Sequence, residues 1–354
     1  MSERVTAMAV TEPGGPLRLH RSAVEAPTGT LVRVAVAAAG VCNADLATAA
    51  ATGSGAALPV VPGHEVAGVV TGVGERVAGR RVGDRVVVGW FGGSCGHCER
   101  CRAGDVVHCP ERKVPGLSYP GGWADSITVP ADALARVPDG LDLLDAAPFG
   151  CAGVTAFNAV RRAGAPVGGR VAVFGIGGLG HLAVQFAAAL GHETVAVARG
   201  TDREEPARRL GAHHYIDSAA RAPGAALREL GGADLIVYTA SSTAPADELL
   251  TGLSTHGRLT LVGVDAGSLT VPAARLVMNG HTLTGQLTGT PRETEEAMRF
   301  AATHGIRPVA ERLPLRRAAE ALDRLRSGTA RFRVVLDTAD TADTADTADA
   351  VDAA

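Results

Sequence analysis

Four of the six cysteines of this 354-residue chain fall within one short stretch, SCGHCERCRAGDVVHC. They are Cys95, Cys98, Cys101 and Cys109. Four thiolates on one tight loop complete the closed tetrahedral shell of a structural zinc ion and leave no position for water or substrate. With Pro110 after the last cysteine, the stretch is also similar to an iron–sulfur binding run, although seven residues precede that cysteine here and three in the run. The spacing predicts a metal site, with structural zinc as the first interpretation, an iron–sulfur cluster as the second and unligated thiols as the third.

The remaining cysteines, Cys42 and Cys151, stand in two other contexts that suit a second metal. The β-branched run VRVAVAAAGV predicts a strand that ends at Cys42 and a short helix after it. His64 and Glu65 are flanked by glycines, which allow close approach of the backbone. Two cysteines and one histidine are the protein ligands of one type of catalytic zinc, which keeps its fourth position for water or substrate. Taken singly, each cysteine could be a small buried apolar residue and His64 a hydrogen-bonded core histidine.

A glycine-rich turn follows in RVAVFGIGGLGHLAVQFAAALG, residues 170–191. Residues 171–174 predict a short strand, and the apolar spacing of Leu182, Phe186 and Leu190 predicts a helix. A strand, glycine turn and helix in this order bind dinucleotide pyrophosphate at the helix N-terminus. The candidate cofactor-binding residues of the turn are Gly175, Gly177, Gly178, Leu179 and Gly180.

Further short apolar runs predict how the chain is organised. Strands are predicted at 194–198, 214–216, 234–239 and 258–263, with helices between them. This alternation predicts an α/β fold with a doubly wound parallel sheet over residues 152–286. Strands at 82–89 and 125–129, broken by glycine and proline, predict a mostly β domain before residue 152. The Thr-Ala-Asp repeat at 338–354 predicts a disordered tail.

Composition narrows the class of partner. The chain is 46% apolar, which suffices for two cores, and its formal net charge is −3. Its basic residues form no stripe, so we expect no nucleic-acid partner and instead a small-molecule substrate. The N-terminus MSERVTAMAV lacks the apolar core of a signal peptide, and no apolar stretch has the length of a membrane span. We therefore expect a cytoplasmic protein with no membrane association.

At this point the sequence resembles the zinc-dependent alcohol dehydrogenases of the medium-chain dehydrogenase/reductase superfamily, from about residue 5 to 337. The resemblance is carried by GHEVAGVVTGVGERV, VGDRVVVG, the four-cysteine stretch and GIGGLG. It is strongest toward the propanol-preferring and cinnamyl alcohol types. It implies a GroES-like catalytic domain over residues 1–151, to which residues 287–337 return, and a Rossmann cofactor domain over residues 152–286. It also implies two zinc ions per chain and favours zinc over an iron–sulfur cluster. It also implies a homo-oligomer, either a dimer or a tetramer.

The resemblance implies roles around the catalytic zinc. Cys42, His64 and Cys151 would hold the ion, and Glu65 would lie just behind it or ligate it transiently. Asp45 would accept the other N–H of His64 and fix its tautomer.

The resemblance also implies roles around the cofactor and the substrate. Thr155 would lie beside the nicotinamide ring, and Arg333 would reach the cofactor's pyrophosphate. Trp90, Phe91 and Tyr119 fall where the family lines its substrate pocket, although aromatic side chains there could equally belong to the core. The site would lie in the cleft between the two domains.

One departure from the family concerns the cofactor. NAD-binding members carry an acidic residue at the end of the second strand, and this chain has Ala198 there with Arg199 next. Loss of the carboxylate removes repulsion toward a 2′-phosphate, and Arg199 with Arg203 could pair with that phosphate. The sequence therefore predicts NADP(H) in preference to NAD(H). The alternative is that Arg199 stacks on the adenine.

A second departure concerns the proton relay. Many members carry serine or threonine two residues after the first zinc cysteine and histidine five residues after it, whereas this chain has Ala44 and Ala47. Water or the cofactor ribose could relay the proton instead, or Asn43 could orient such a water. Otherwise the chain could be a specialised reductase of an iminium or activated alkene, or a non-catalytic protein that binds zinc and nucleotide. The zinc-free quinone reductase branch conflicts with the complete Cys–His–Cys set.

Overall fold

The computed structural model describes residues 3–51, 58–240, 246–263 and 267–339. By its contacts the chain divides into two compact units. The first unit is Met1–Cys151, Thr290–Glu295 and Ala310–Ala354, and the second is Ala152–Gly289 and Glu296–Val309. Most of the predicted tail, from residue 340 onward, lies outside the described residues.

The secondary-structure elements are numbered along the chain. The strands are β1 (Glu3–Ala9), β2 (Arg18–Val24), β3 (Leu31–Val41), β4 (Val66–Val73), β5 (Arg85–Val88), β6 (Ser126–Pro130), β7 (Leu134–Arg136), β8 (Arg170–Phe174), β9 (Glu193–Ala198), β10 (His214–Asp217), β11 (Ala233–Tyr238), β12 (Leu253–Leu261), β13 (Thr282–Gly285), β14 (Ala310–Pro314) and β15 (Arg333–Asp337). The helices are α1 (Asn43–Ala50), α2 (Glu99–Arg102), α3 (Leu143–Ala146), α4 (Ala152–Arg161), α5 (Gly180–Ala189), α6 (Glu204–Arg209), α7 (Pro223–Glu229), α8 (Ala246–Leu250), α9 (Ala273–Asn279), α10 (Pro291–His304) and α11 (Ala318–Arg326).

The first unit is built around a seven-stranded sheet in the order β14-β15-β3-β4-β5-β7, with β6 also paired to β3. Its neighbours are antiparallel except for β14 and β15. Valines of β3, β4 and β5 form much of one core cluster, because β-branched side chains pack well on a pleated surface. β3 is central, and residues 38–41 at its end are all buried. That end delivers Cys42 into the interior of the unit.

The second unit is a six-stranded parallel sheet in the order β10-β9-β8-β11-β12-β13. The strands run outward from β8 to β10, and the chain then returns to β11 on the other side of β8. Right-handed crossovers in such a sheet place helices on both faces. This order is that of the Rossmann fold, in which ligands bind beyond the carboxyl ends of the strands where the order reverses, here at β8 and β11.

The predicted strands are present in both units, with differences at their ends. β12 begins at Leu253, five residues before the predicted start at Arg258, and its pairing with β11 shifts register between Ala233 and Leu235. β5 begins only at Arg85, because Gly83 takes a left-handed turn at φ +92° just before it. These ends depend on turns and on pairing between strands, which local apolar runs do not reveal.

Two observations bear on the predicted division into domains. Thr338, predicted as the first residue of the tail, is 6% exposed, its N–H donates to Ala37 O at 3.2 Å and its hydroxyl donates to Val36 O. Residues 296–309, predicted to return to the catalytic domain, group by their contacts with the second unit. There Phe300 of α10 packs its ring against Phe157 and Phe186, at centroid distances of 5.4 and 6.1 Å.

None of the helices in the described residues is by itself long and apolar enough to cross a lipid bilayer. One bent pair of adjoining helices, at 143–150 and 152–161, meets the criteria of length and composition when taken together. Residues 152–160 of this pair are buried.

Candidate functional site

The first candidate site gathers side chains from three separate segments of the first unit. Cys42 follows β3, His64 and Glu65 precede β4, and Cys151 follows the 3₁₀ turn at 147–150. Their ligand atoms all lie within 4.8 Å of one another. Cys42, His64 and Glu65 are 9%, 2% and 0% exposed, and Cys151 is half-buried. The structure therefore brings together the four residues that the sequence analysis grouped around a catalytic metal.

The orientation of His64 is fixed by Asp45 on α1. Nδ1 of His64 lies 2.9 Å from Oδ1 of Asp45, whose side chain is 1% exposed. The same carboxylate accepts the N–H groups of Cys42 at 2.8 Å and Gly63 at 3.3 Å. With Nδ1 engaged in this way, Nε2 of His64 is buried and has no hydrogen-bond partner among the described residues. An orphaned imidazole nitrogen beside two thiols fits a zinc ligand set.

The two thiols and the imidazole have strongly shifted pKa values. A hydrogen bond with Cys151 holds the pKa of Cys42 well below its usual value, and His64 adds to this effect. The same hydrogen bond raises the pKa of Cys151 well above its usual value. Burial disfavours the protonated form of His64, but the carboxylate of Asp45 raises its pKa well above the ordinary value. The cluster therefore stabilises a thiolate at Cys42, which is the form that ligates metal.

Behind these donors lies a buried ion pair between Glu65 and Arg333 of β15. The side chains are 0% and 4% exposed, and Oε2 of Glu65 accepts a hydrogen bond from Nη2 of Arg333. Burial raises the pKa of Glu65 to about 7, while the positive charge of Arg333 acts in the opposite direction. Oε1 of Glu65 has no hydrogen-bond partner within the described part of the chain. Position 40 must be glycine, because a Cβ there would stand 2.1 Å from Oε2 of Glu65.

This geometry gives Arg333 a place that the sequence did not predict. Its guanidinium is buried against Glu65 beside the metal donors. Contact with the cofactor's pyrophosphate stays a prediction.

The four-cysteine loop forms the second candidate site. Sγ of Cys95 lies 3.9 Å from that of Cys101 and 3.6 Å from that of Cys109, and Sγ of Cys98 lies 3.9 Å from that of Cys109. Zn–S bonds of about 2.3 Å in a tetrahedron place the sulfurs about 3.8 Å apart. The N–H of Cys98 also points at Sγ of Cys95, at 3.4 Å. The loop therefore already has the dimensions of a structural zinc shell.

The third candidate site is the glycine turn after β8 in the second unit. A Cβ on Gly180 would lie 1.8 Å from the carbonyl oxygen of Gly175, so the helix α5 can begin there only with glycine. A Cβ on Gly177 would meet nothing within 4 Å, so open space lies in front of the turn. Gly178 and Leu179 lead from this space into the first turn of α5. A tight turn with free space at a helix N-terminus fits a pyrophosphate.

Sequence reasoning missed two polar residues of α5, one of which contacts this turn. His181 of α5 is 0% exposed, its Nδ1 lies 2.9 Å from Gly177 O, and its Nε2 accepts the N–H of Val309 at 3.1 Å. One helical turn later, the side chain of Gln185 bonds the backbone N–H and C=O of Arg307. The available signal was two polar residues at i and i+4 on an otherwise apolar helix. Their partners lie more than a hundred residues away, which local pattern cannot reveal.

The loop after β9 carries the predicted determinants of cofactor choice. Ala198 is 4% exposed, Arg199 is exposed, and Nε of Arg203 is buried with no partner in the described residues. The nearby carboxylate of Asp217 accepts the N–H of Gly200 at 2.7 Å. The backbone of the loop is therefore held by the side chain of Asp217, and Arg199 is exposed to solvent. Thr155 lies on α4, 2% exposed, and its hydroxyl reaches Leu287 O at 3.4 Å.

The aromatic residues predicted to line a substrate pocket separate into different environments. Phe91 is 3% exposed and belongs to the core. Trp90 is half-buried, with the guanidinium of Arg112 5.4 Å above its ring. Tyr119 lines a cavity and donates its hydroxyl to Gly92 O at 2.8 Å. Both relay-position alanines, Ala44 and Ala47, line that same cavity.

Comparison with known proteins assigns these features to one class. Residues 28–139 match the family model of the alcohol dehydrogenase GroES-like domain, and residues 178–303 match that of the zinc-binding dehydrogenases. One of these domains carries the clustered cysteine and histidine donors, and the other carries the dinucleotide turn. Together they define a zinc-type oxidoreductase. The predicted fold, a GroES-like domain with a Rossmann domain, is confirmed.

Individual relatives identify the family. Alcohol dehydrogenase patD of Penicillium expansum is 39% identical over 326 residues, covering 92% of this chain and 95% of that protein. NADP-dependent alcohol dehydrogenase C 1 of Mycolicibacterium smegmatis is 37% identical over 310 residues, covering 85% and 88%. The solved structure of a cinnamyl alcohol dehydrogenase from Sorghum bicolor is similar at TM-score 0.84 and 32% identity, covering 95% and 98%. The chain belongs to the zinc-type alcohol dehydrogenases of the medium-chain dehydrogenase/reductase superfamily.

Proposed function

We propose that the protein transfers hydride between NADP(H) and an alcohol, aldehyde or ketone at a zinc ion held by Cys42, His64 and Cys151. The observation that carries the proposal is the donor cluster, in which Nε2 of His64 has no partner within the described residues. A second zinc ion held by the four-cysteine loop is supported by sulfur separations of 3.6 to 3.9 Å. Metal content measured together with carbonyl reduction tests both parts of the proposal.

The chain's own residues prepare the site for this chemistry. When bound, zinc supplies a Lewis acid that polarises a carbonyl oxygen or lowers the pKa of an alcohol. Asp45 holds the imidazole of His64 so that Nε2 faces the thiols, and it also fixes the N–H of Cys42. Arg333 balances the charge of Glu65 behind the donors. For the cofactor, we propose that residues 175–180 bind the pyrophosphate, that Thr155 lies by the nicotinamide and that Arg333 reaches the pyrophosphate.

NADPH is expected to give a higher kcat/KM than NADH. Support comes from Ala198 at the position of the missing carboxylate, from exposed Arg199 beside it, and from a relative named as NADP-dependent. Changing Arg199→Gln is expected to lower kcat/KM with NADPH by about tenfold and to leave that with NADH nearly unchanged, because only NADPH offers a 2′-phosphate to the guanidinium. Steady-state kinetics with both cofactors measures this, with Arg18→Gln, an exposed arginine of the other unit, as control. An equal loss with both cofactors would instead indicate stacking on adenine.

Restoring the proton relay is expected to speed oxidation of a short alcohol. The variant Ala44→Thr with Ala47→His supplies two groups that exchange protons, so kcat for ethanol should rise by about tenfold. The matched control, Ala44→Val with Ala47→Leu, adds similar bulk without an exchangeable proton and should show no rise. If the relay variant gains nothing over this control, water already carries the proton at full rate.

The alternatives raised by the missing relay are not favoured. The relatives reported above are named alcohol dehydrogenases. A zinc-free reductase would not need the donor cluster, and a set of two cysteines and one histidine, which leaves a position open, is typical of catalytic zinc rather than of structural zinc.

We further propose a cytoplasmic homo-oligomer, either a dimer or a tetramer. Val277 and Met278 on α9 are 78% and 81% exposed, and large exposed apolar side chains are typical of protein interfaces. Next to α9 in the sequence, β13 pairs on only one side among the described strands. None of the cysteines in the described residues is paired in a disulfide, which supports a reducing compartment.

A further inference from the structure

A cavity of about 230 Å³ lies in the first unit between two antiparallel strand pairs, β1–β2 and β3–β6. We call it the hairpin cavity. On the β1–β2 side it is lined by Val5 and Ala7, which pair with Ser22 and His20. These side chains share one face of the pair, because successive side chains of a strand point to opposite faces. The hairpin cavity is therefore a space that the facing side chains of two strand pairs leave unfilled.

The β3–β6 side of the hairpin cavity is polar. Arg33 of β3 pairs with Thr128 of β6, and Ser126 lies two residues earlier on the same face of β6. Nη1 of Arg33 donates to Oγ of Ser126 at 3.3 Å. The neighbouring Val32 and Val34 belong to the core cluster on the opposite face of β3. Three polar side chains therefore meet on the face of this ladder that borders the hairpin cavity.

Arg33 is a buried cation whose charge is poorly compensated. Its side chain is 3% exposed. Among the described residues the structure pairs it with one carboxylate, that of Glu3, whose Oε2 lies 3.5 Å from Nη1 and whose side chain is 70% exposed. Nη2 of Arg33 donates to the uncharged carbonyl oxygen of Glu25 at 2.6 Å. A buried charge is favourable only when it is paired and fully hydrogen-bonded, so an anion beside Arg33 would stabilise it.

Two polar atoms of this group have no hydrogen-bond partner within the described part of the chain. They are Nε of Arg33 and Oγ1 of Thr128, and both are buried. Because Arg33 and Thr128 are cross-strand partners, the two unsatisfied atoms belong to neighbouring side chains. A buried donor without a partner is unfavourable. A carboxylate supplies two acceptor oxygens and a negative charge, so it matches both side chains.

The rest of the lining is mostly apolar. Its aliphatic side chains and proline rings are those of Val5, Ala7, Val24, Pro59, Val61 and Pro120. None of the described residues that line the hairpin cavity is acidic, and Asp125 lies outside the lining, with its Oδ2 accepting the N–H of Thr6 at 3.0 Å. Inorganic phosphate would leave the apolar wall uncovered, whereas a carboxylate with a hydrocarbon body would bury it.

We infer that the hairpin cavity is a binding site for a small monocarboxylate with a compact apolar body, whose carboxylate is held by Arg33, Ser126 and Thr128. It shares Pro59, Val61 and Pro120 with the cavity that Tyr119 lines, but no described residue lining that other cavity is charged. None of the zinc donors lines the hairpin cavity. The inference goes beyond the proposed function, because it requires neither zinc nor hydride transfer.

Crystals of the zinc-loaded enzyme soaked with 4-bromobenzoate test where the carboxylate binds. Anomalous scattering from bromine is expected to show a peak between β1–β2 and β3–β6, with the carboxylate against Arg33. Bromine found only at the catalytic cluster, or no bromine in the hairpin cavity, would overturn the inference.

Titration of the zinc-loaded enzyme with 4-fluorobenzoate, followed by fluorine NMR, tests the residues in solution. Arg33→Met is expected to raise Kd by about tenfold or more, because a charge-assisted hydrogen bond is lost. Thr128→Val keeps the shape of the side chain and should raise Kd by about threefold, which carries the test if Arg33→Met does not fold. The control is Arg21→Met. Arg21 is exposed and lies on the other face of β2, so its replacement should leave Kd unchanged.

Two comparison probes test the chemical class of the ligand. Inorganic phosphate lacks an apolar body and 4-fluorobenzyl alcohol lacks a negative charge, so each should bind about tenfold more weakly than 4-fluorobenzoate. Equal binding of either probe would overturn the assignment to a monocarboxylate.

Two further results would also contradict the site. Binding that survives Arg33→Met and Thr128→Val but disappears in Cys151→Ser would place benzoate at the catalytic cluster. A bromine peak in the hairpin cavity without Arg33-dependent binding in solution would mean binding at crystal concentration only. Thermal unfolding of each variant, measured beside its titration, separates loss of binding from loss of fold.

Discussion

Replacing Cys151 by serine is expected to remove one zinc ion per chain and to lower kcat by about three orders of magnitude. The physical reason is that a serine hydroxyl does not ionise near neutral pH, so the remaining thiolate and imidazole hold zinc poorly. Loss of a Lewis acid worth several kcal/mol in the transition state corresponds to a rate loss of this size. Zinc measured by mass spectrometry on purified protein, together with NADPH-dependent aldehyde reduction, gives both quantities.

The matched control for this variant is Cys101→Ser in the four-cysteine loop. It should also remove one zinc ion, but it should lower the free energy of unfolding rather than kcat. The reason is that this loop supplies a closed shell with no position for substrate. A Cys151→Ser protein that keeps about two zinc ions and full kcat would contradict the assignment of the catalytic cluster.

Replacing Arg333 by methionine is expected to destabilise the first unit by about 3–5 kcal/mol, because it leaves the carboxylate of Glu65 buried without its partner. The double variant Glu65→Gln with Arg333→Met removes both charges and should recover much of this loss. Urea unfolding followed by circular dichroism measures the difference.

A surface arginine on a neighbouring strand provides the control. Arg312 of β14 faces Asp142 at 3.8 Å and Asp145 at 3.7 Å, and its side chain is 53% exposed. Arg312→Met should cost no more than about 1 kcal/mol, since exposed ion pairs are solvated and weak. If Arg333→Met and Arg312→Met lower the free energy of unfolding equally, the burial of the Arg333–Glu65 pair contributes nothing to stability.

Much of the candidate site could be predicted because its signals are local. Cys42 follows a β-branched strand and precedes a short helix, and the structure has both elements there. The glycine turn lies between β8 and α5 as its pattern indicates. Asp45 was assigned to His64 from resemblance alone, and the structure places the two side chains at 2.9 Å.

The rest depends on contacts between distant segments. Arg333 lies 268 residues from its partner Glu65, and Val309 lies 128 residues from His181. No periodicity in either stretch indicates such a pairing. The cavity lined by Ala44, Ala47 and Tyr119 is likewise assembled from helix α1 and two loops, at 58–61 and 116–120, whose sequences look ordinary when taken one at a time. Thr338 belongs to a repetitive tail by composition, yet its hydrogen bonds to β3 extend the ordered chain beyond β15.

The most direct test of two zinc sites and an NADPH-dependent reaction is the zinc content of the purified protein measured alongside NADPH oxidation on a panel of aldehydes. We expect about two zinc ions per chain and NADPH-dependent turnover that disappears when zinc is removed and returns when it is restored. About one zinc ion per chain, or two with no turnover of any aldehyde, would contradict this expectation.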